Sequence, residues 1–188
     1  MTRSSLRTRR GVTAAIATVA AALSLAQVAE AGPTPPTVPS QIQVGAGHTL
    51  FLVGHAVGVQ IYPCNATTSG FAWGATTPRA KLYGDNGRLI MTHYGGPTWE
   101  SRDGSTVVGA RVDGVTVDPT AIPWLLLSAT RASTSAPFGM LARTTFIQRV
   151  ATVGGLAPAA AQCNATTVGT RREVPYTADY YFWKRQIG

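Results

Sequence analysis

The densest run of groups able to move protons or grip a ligand lies between His93 and Ser105. There a histidine, Tyr94, Trp99, Glu100, Arg102 and Asp103 surround a Gly95-Gly96-Pro97 bend. If that bend folds the chain back, His93 and Glu100 face each other. An imidazole beside a carboxylate is the least that acid–base work needs, because the carboxylate lifts the histidine pKa toward or above neutrality. Asp103 is the alternative carboxylate, so the chemistry on offer is a small hydrolase using His93 with Glu100 or Asp103. A plainer role competes with it. Glu100 to Asp103 lies beside an Asp-Gly turn, where acidic side chains bond their own backbone. Tyr94 and Trp99 are also the kind of side chain that fills a small β core.

Other chemistries fit less well. A metal site would draw on His48, His55 and His93 with Asp85 or Asp103, but no pair has His-x-His or His-x₃-His spacing. His48 and His55 are an odd number of residues apart, which in one strand puts them on opposite faces. No metal site and no cofactor are expected. A serine nucleophile elbow, Gly-x-Ser-x-Gly, is absent from the sequence. Glycosidases need two carboxylates at a set separation. Beyond residue 31 the only glutamates are Glu100 and Glu173, and the aspartates mostly sit beside turns. That scarcity argues against acid–base catalysis in general.

The aromatics offer binding instead. Trp73, Trp99, Trp124 and Trp183, with Tyr62, Tyr176, Tyr180 and Tyr181, would suit a sugar-stacking face if several were exposed. Strand alternation along Tyr176–Trp183 puts Tyr176, Ala178, Tyr180 and Phe182 on one face, which reads as core. Thr177, Asp179, Tyr181 and Trp183 form the other, which reads as a rim or a binding surface. Candidate ligand-binding residues are therefore Tyr94, Trp99, Tyr181 and Trp183, though core is the simpler role for most tryptophans.

Short strands must position all of these groups. Leu50–Gly54 and Val57–Tyr62 are strand-like around Gly54. Lys81–Tyr83 and Arg88–His93 flank Asp85-Asn86-Gly87, and Trp99–Arg102 and Thr106–Val112 flank Asp103-Gly104, both hairpin signals. A third turn is expected at Asp113-Gly114, before Val115 and Val117. Trp124–Ala129 reads as a buried strand; Thr144–Val153 and Tyr176–Trp183 follow, and Ala157–Gln162 suits one helical turn. Strands this short and this regularly interrupted predict an all-β, single-domain β-sandwich or closed β-barrel. Cys64-Asn65-Ala66-Thr67-Thr68 recurs at Cys163-Asn164-Ala165-Thr166-Thr167. Five residues make no structural repeat, and both copies read as polar turns.

The compartment is set by the first thirty-one residues. Arg3, Arg7, Arg9 and Arg10 precede a charge-free run from Gly11 to Ala29, and Ala29-Glu30-Ala31 supplies a small-x-small cleavage pattern. Residues 1–31 are read as a secretory signal peptide, leaving a mature chain that begins near Gly32. The run is mostly Ala and Thr, which favours cleavage over a retained anchor. Residues 32–40 carry Pro33, Pro35, Pro36 and Pro39 and read as an extended, solvated spacer; residues 41–188 form the domain. Losing the four leader arginines and Glu30 lowers the net charge from +8 to +5, with the remaining basic residues scattered. Nucleic acid is not an expected partner, because no basic patch or stripe is visible. In an oxidising space two cysteines pair by default, so Cys64 and Cys163 are read as a disulfide.

Several phrases match a known family. They are Gly58-Val59-Gln60-Ile61-Tyr62-Pro63-Cys64, His93-Tyr94-Gly95-Gly96-Pro97-Thr98-Trp99-Glu100 and Ile122-Pro123-Trp124-Leu125-Leu126-Leu127. Ile147-Gln148-Arg149, Thr152-Val153-Gly154-Gly155 and the closing Val174–Trp183 extend the match. In order and spacing the chain resembles a family of secreted bacterial and fungal proteins catalogued only as a domain of unknown function. The resemblance implies export, one domain and no agreed activity. A malate dehydrogenase label carried by some fungal relatives finds no support, since no Gly-rich strand-to-helix fingerprint is present. The expected role is a non-catalytic binding or structural module of the cell exterior. Its partner would be a cell-surface glycan or another extracellular protein, with no membrane contact once the leader is removed.

Overall fold

The computed structural model describes residue 1, residues 32–132 and residues 138–186. All but the first residue of the expected leader lies outside them. Nine antiparallel strands carry the fold: β1 (His48–Thr67), β2 (Gly70–Trp73), β3 (Thr77–Tyr83), β4 (Leu89–Tyr94), β5 (Thr98–Ser101), β6 (Thr106–Val115), β7 (Trp124–Ala132), β8 (Thr144–Gly154) and β9 (Arg171–Arg185). They form one sheet in the order β2-β1-β3-β4-β5-β6-β7-β8-β9, and β1 pairs with β9 as well. That extra pairing makes the sheet a ring, since β1 holds β3 on one side and β9 on the other. Of the two expected architectures the closed one forms, though not as a clean barrel. β2 stands outside the ring, and bulges interrupt the β1–β9, β3–β4, β6–β7 and β8–β9 ladders.

Alternation decides which side chains fill the ring. Ala56 and Gln60 of β1, Leu82 of β3, Met91 of β4, Trp99 of β5 and Val107 of β6 are all buried. On β9, Tyr176, Ala178, Tyr180 and Phe182 point into the same core, as the period-two pattern predicts. Gly54 does not break β1; its two expected strands are one, because Gly54 pairs with Tyr180 in an unbroken stretch of ladder. Asp113-Gly114 is not a turn either. It sits inside β6 beside a register shift between Arg111 and Asp113, where the Asp113 carboxylate accepts the Gly114 N–H at 2.7 Å. A bulge and a turn make similar use of an Asx–Gly pair. The helical turn is present as a short 3-10 segment, Ala160–Gln162.

A second apolar cluster lies outside the ring. Ile42, in a 3-10 turn at Ser40–Ile42, packs with Leu126 of β7 and Val150 of β8, and Val38, Val44, Trp124, Phe146 and Tyr181 close around them. Gln148 ties this strap to the wall, donating to the Ile42 carbonyl at 2.7 Å and accepting from Trp183 Nε1 at 2.9 Å. The Pro-rich stretch is thus not wholly a solvated spacer: Val38 at its end is packed on the barrel. This cover explains why Trp124–Leu127 is apolar on both faces.

The disulfide joins Cys64 in β1 to Cys163 just past the short 3-10 turn, with Cα atoms 5.3 Å apart. The two Cys-Asn-Ala-Thr-Thr copies differ in conformation. In the first, Asn65, Ala66 and Thr67 continue β1 and pair with β2. In the second, Asn164 Oδ1 accepts from the Thr166 N–H and hydroxyl, an Asx turn.

One end of the ring is plugged by Leu141, which is fully buried. Asp103 holds it there. Its Oδ1 accepts from the Ser105 hydroxyl (2.6 Å) and N–H (2.9 Å), and its Oδ2 accepts from the Met140 N–H (2.6 Å). The Ser105 hydroxyl oxygen in turn accepts the Leu141 N–H at 3.0 Å. These hydrogen bonds, led by the Ser105 hydroxyl, hold the Asp103 carboxyl down at about 2.

Candidate functional site

The opposite end of the ring is open. A cavity of about 320 Å³ enters between the start of β3, the β4–β5 bend and the far part of β6. Exposed Thr76, Gly96 and Arg111 form its rim. Its depth is lined by Gln60, His93, Trp99, Leu127, Arg149 and Tyr180. Gly109 makes part of this space: a Cβ there would stand 3.1 Å from Trp99 Cζ3 and 3.2 Å from Leu127 Cδ2.

Two buried donors at this cavity have no partner among the described residues. Gln60 is 2% exposed and Trp99 is 1% exposed, yet neither Gln60 Nε2 nor Trp99 Nε1 makes a hydrogen bond. The other end of the Gln60 amide is engaged, its Oε1 accepting from the Thr76 hydroxyl at 3.0 Å. Orphaning a buried donor costs about 1–3 kcal/mol. Arg149 adds positive charge. Its Nε and Nη2 donate to the Pro123 carbonyl at 3.1 and 2.8 Å, and no carboxylate pairs with it among the described residues. No carboxylate lines the cavity either.

His93 is 3% exposed and lies flat on Trp99, with ring centroids 4.2 Å apart and an 8° interplanar angle. Its Nδ1–H donates to the Thr98 carbonyl at 2.9 Å, which leaves Nε2 as an acceptor. Burial pushes its pKa down to about 3, opposite to the direction expected from a carboxylate neighbour. The reason is register. His93 pairs with Trp99 and Thr92 pairs with Glu100, so His93 faces the core while Glu100 faces solvent. The Gly-Gly-Pro bend does fold the chain back, but it brings His93 to Trp99. Glu100 instead accepts from the exposed Tyr94 hydroxyl at 3.1 Å. Asp103 is spent on the plug at the other end of the ring. The hydrolase constellation is therefore not assembled.

The remaining aromatic candidates also divide. Trp99 lines the cavity, whereas Tyr94 lies on the outer surface. Trp183 is buried with its N–H bonded to Gln148, and Tyr181 packs against the strap's cluster. The Tyr181–Trp183 end of that face of β9 is covered rather than presented as a binding rim, while Thr177 at its other end is exposed. Among the described residues no group of three or more His, Cys, Asp or Glu is placed to hold a metal ion.

With this geometry the comparisons with known proteins can be weighed. A family model described as "Protein of unknown function (DUF3455)" matches residues 45–184, which contain the whole ring but for its last residue. The chain belongs to this family. No curated protein and no solved structure matches it. The match covers Gln60, His93, Trp99 and Arg149, so the cavity lies wholly inside the DUF3455 domain.

Replacing His93 by alanine is expected to cost the domain about 2–3 kcal/mol, from the lost stacked ring and the orphaned Thr98 carbonyl. Glu100→Ala should stay within about 0.5 kcal/mol, as for most surface changes. Urea unfolding of both variants gives the comparison; equal losses would contradict their placement on opposite faces.

The imidazole–carboxylate contact sought at His93 occurs instead at His55. Nδ1 lies 2.7 Å from Asp179 Oδ1, and Nε2 lies 2.8 Å from Asp85 Oδ1. The Asp85 and Asp179 hydrogen bonds raise the His55 pKa against a smaller opposing effect of burial. From sequence, His55 and Asp85 group only as metal-ligand candidates and Asp179 is missed, because His55 and Asp179 meet only through the β1–β9 register. A raised folded pKa means stability that is complete below the unfolded value near 6.5 and is lost as pH climbs through the folded value. The stability gap between wild type and His55→Gln should therefore be widest near pH 6 and shrink as pH rises. Denaturant midpoints across neutral to mildly alkaline pH measure it, and a gap that widened upward would reject the assignment.

Proposed function

We propose that this chain is an exported, non-catalytic binding module that carries a small molecule inside its barrel. The observation that carries this reading is the open cavity, two of whose lining residues hold buried, unpartnered donors, Gln60 Nε2 and Trp99 Nε1. A void that served packing alone would be filled or wholly apolar. Eight-stranded rings are of a size to hold one small ligand, and this cavity falls at the small end of the range such sites span. Export is supported by the leader pattern of residues 1–31 and by a disulfide, which persists in oxidising compartments. An interior site favours a small molecule over a polymeric glycan.

The test is methyl NMR of the mature protein with Leu125 and Leu127 labelled, titrated with a library of small polar-headed apolar compounds. Saturable shifts at both residues are expected from at least one chemical class. A library that moved neither methyl group would count against an interior site.

A further inference from the structure

We infer that the ligand is a small organic anion, a carboxylate on a flat apolar body, held with its charged end toward Arg149 and the free donors of Gln60 and Trp99. This rests on the carrier reading above and adds the chemistry of the occupant.

Three observations converge on it. Two of the residues that line the cavity carry a buried polar atom without a partner, and both atoms are donors, Gln60 Nε2 and Trp99 Nε1. No protein group among the described residues accepts from either, and a carboxylate has lone pairs enough for more than one donor at once. The charge is of one sign. Arg149 projects from β8 with two of its nitrogens on one carbonyl, while Arg111 stands at the rim. With no acid on the lining, an anion is the species this space attracts, and a cation the species it repels. Arg149 is half-buried, and a guanidinium bonds a carboxylate roughly twice as strongly as a neutral donor does.

The rest of the lining sets the body. Leu125, Leu127, Pro97 and the edge of Trp99 are apolar, and about 320 Å³ is space for roughly ten waters at their liquid volume. That suits one ring with a short arm rather than a fatty chain. His93 does not compete for the anion as a cation, since it is neutral and already committed to Thr98. Its Nε2 accepts, so a hydroxyl or N–H on the ligand's body has a partner there.

The experiment compares cinnamate, cinnamamide and cinnamylammonium, which share one body and differ in charge. Each is titrated into the mature protein by calorimetry at low salt. Cinnamate is expected to bind at least about tenfold more tightly than cinnamamide, with cinnamylammonium weakest. Arg149→Met should lower cinnamate affinity about a hundredfold and leave cinnamamide within about threefold. Arg149 also bonds Pro123, so Gln60→Leu supplies a second variant that removes an unpartnered donor; it should fold as wild type does and weaken cinnamate selectively. Equal binding of all three compounds, or a preference for the amide or the ammonium, overturns the anion and leaves the carrier reading intact. No binding of cinnamate while other compounds shift the Leu125 and Leu127 methyl groups overturns the anion too. Silence of those groups toward every compound removes the carrier reading itself.

Discussion

Replacing Cys64 and Cys163 together by alanine will lower the unfolding free energy by about 4–5 kcal/mol, the chain-entropy value for a loop of this length. The two cysteines are 99 residues apart, so the bridge restrains nearly the whole of β2 to β8 in the unfolded chain. Local folded contacts do not depend on it. Cys64 N–H still donates to the Thr170 carbonyl and Gly169 N–H to the Cys64 carbonyl, each at 2.9 Å. The effect therefore acts mainly on the unfolded state, which expands once the loop is cut. Equilibrium urea unfolding should show both a lower midpoint and a steeper dependence on denaturant in the variant. A loss below about 1 kcal/mol would refute the unfolded-chain account.

The second large effect is expected at Gly58, where alanine should cost about 3 kcal/mol and valine more. Gly58 pairs with Ala80 on one side and Tyr176 on the other. A Cβ there would stand 2.3 Å from the Arg79 carbonyl oxygen and 2.5 Å from the Ala80 Cα, both backbone atoms that cannot swing aside. The strand wall would have to part next to the cavity. Gly87 is the control, with φ +71° and nothing within 4 Å of an added Cβ. Its replacement by alanine meets only backbone strain, on the order of 1 kcal/mol. Guanidinium midpoints of the two alanine variants should rank Gly58 well below Gly87, and the reverse order would show that the wall tolerates separation.

What was legible in the sequence was local. Asn86-Gly87 and Asp103-Gly104 announced their hairpins because both glycines take positive φ, +71° and +80°. The aromatic face of β9 followed from alternation, and the cysteine pair from the leader's implied compartment. What escaped was non-local. Nothing near His93 tells whether its cross-strand neighbour is Trp99 or Glu100; a one-residue change of register would exchange them. The strap hid the same way. Trp124–Leu127 is apolar at every position, a sign that both faces are covered, but Val38 and Ile42 are distant in sequence and lie beside a run of prolines. The cavity arises from small residues such as Gly109, whose only trace in sequence is the absence of a side chain.

The seam between β1 and β9 also sets an order of events while the chain is being made. The ring's other junctions join strands close in sequence, and each can form once both arms exist. The seam joins the first strand to the last, from His48 with Arg185 to Pro63 with Arg171. Contacts of such long sequence separation form slowly, since a large loop must close before they are rewarded. Until β9 is available, β1 and β8 each present an unpaired edge, and such edges are templates for another copy of the same chain. The final strand is therefore what ends the interval in which a half-made barrel can polymerise, and a chain cut short before Arg171 would keep both edges open.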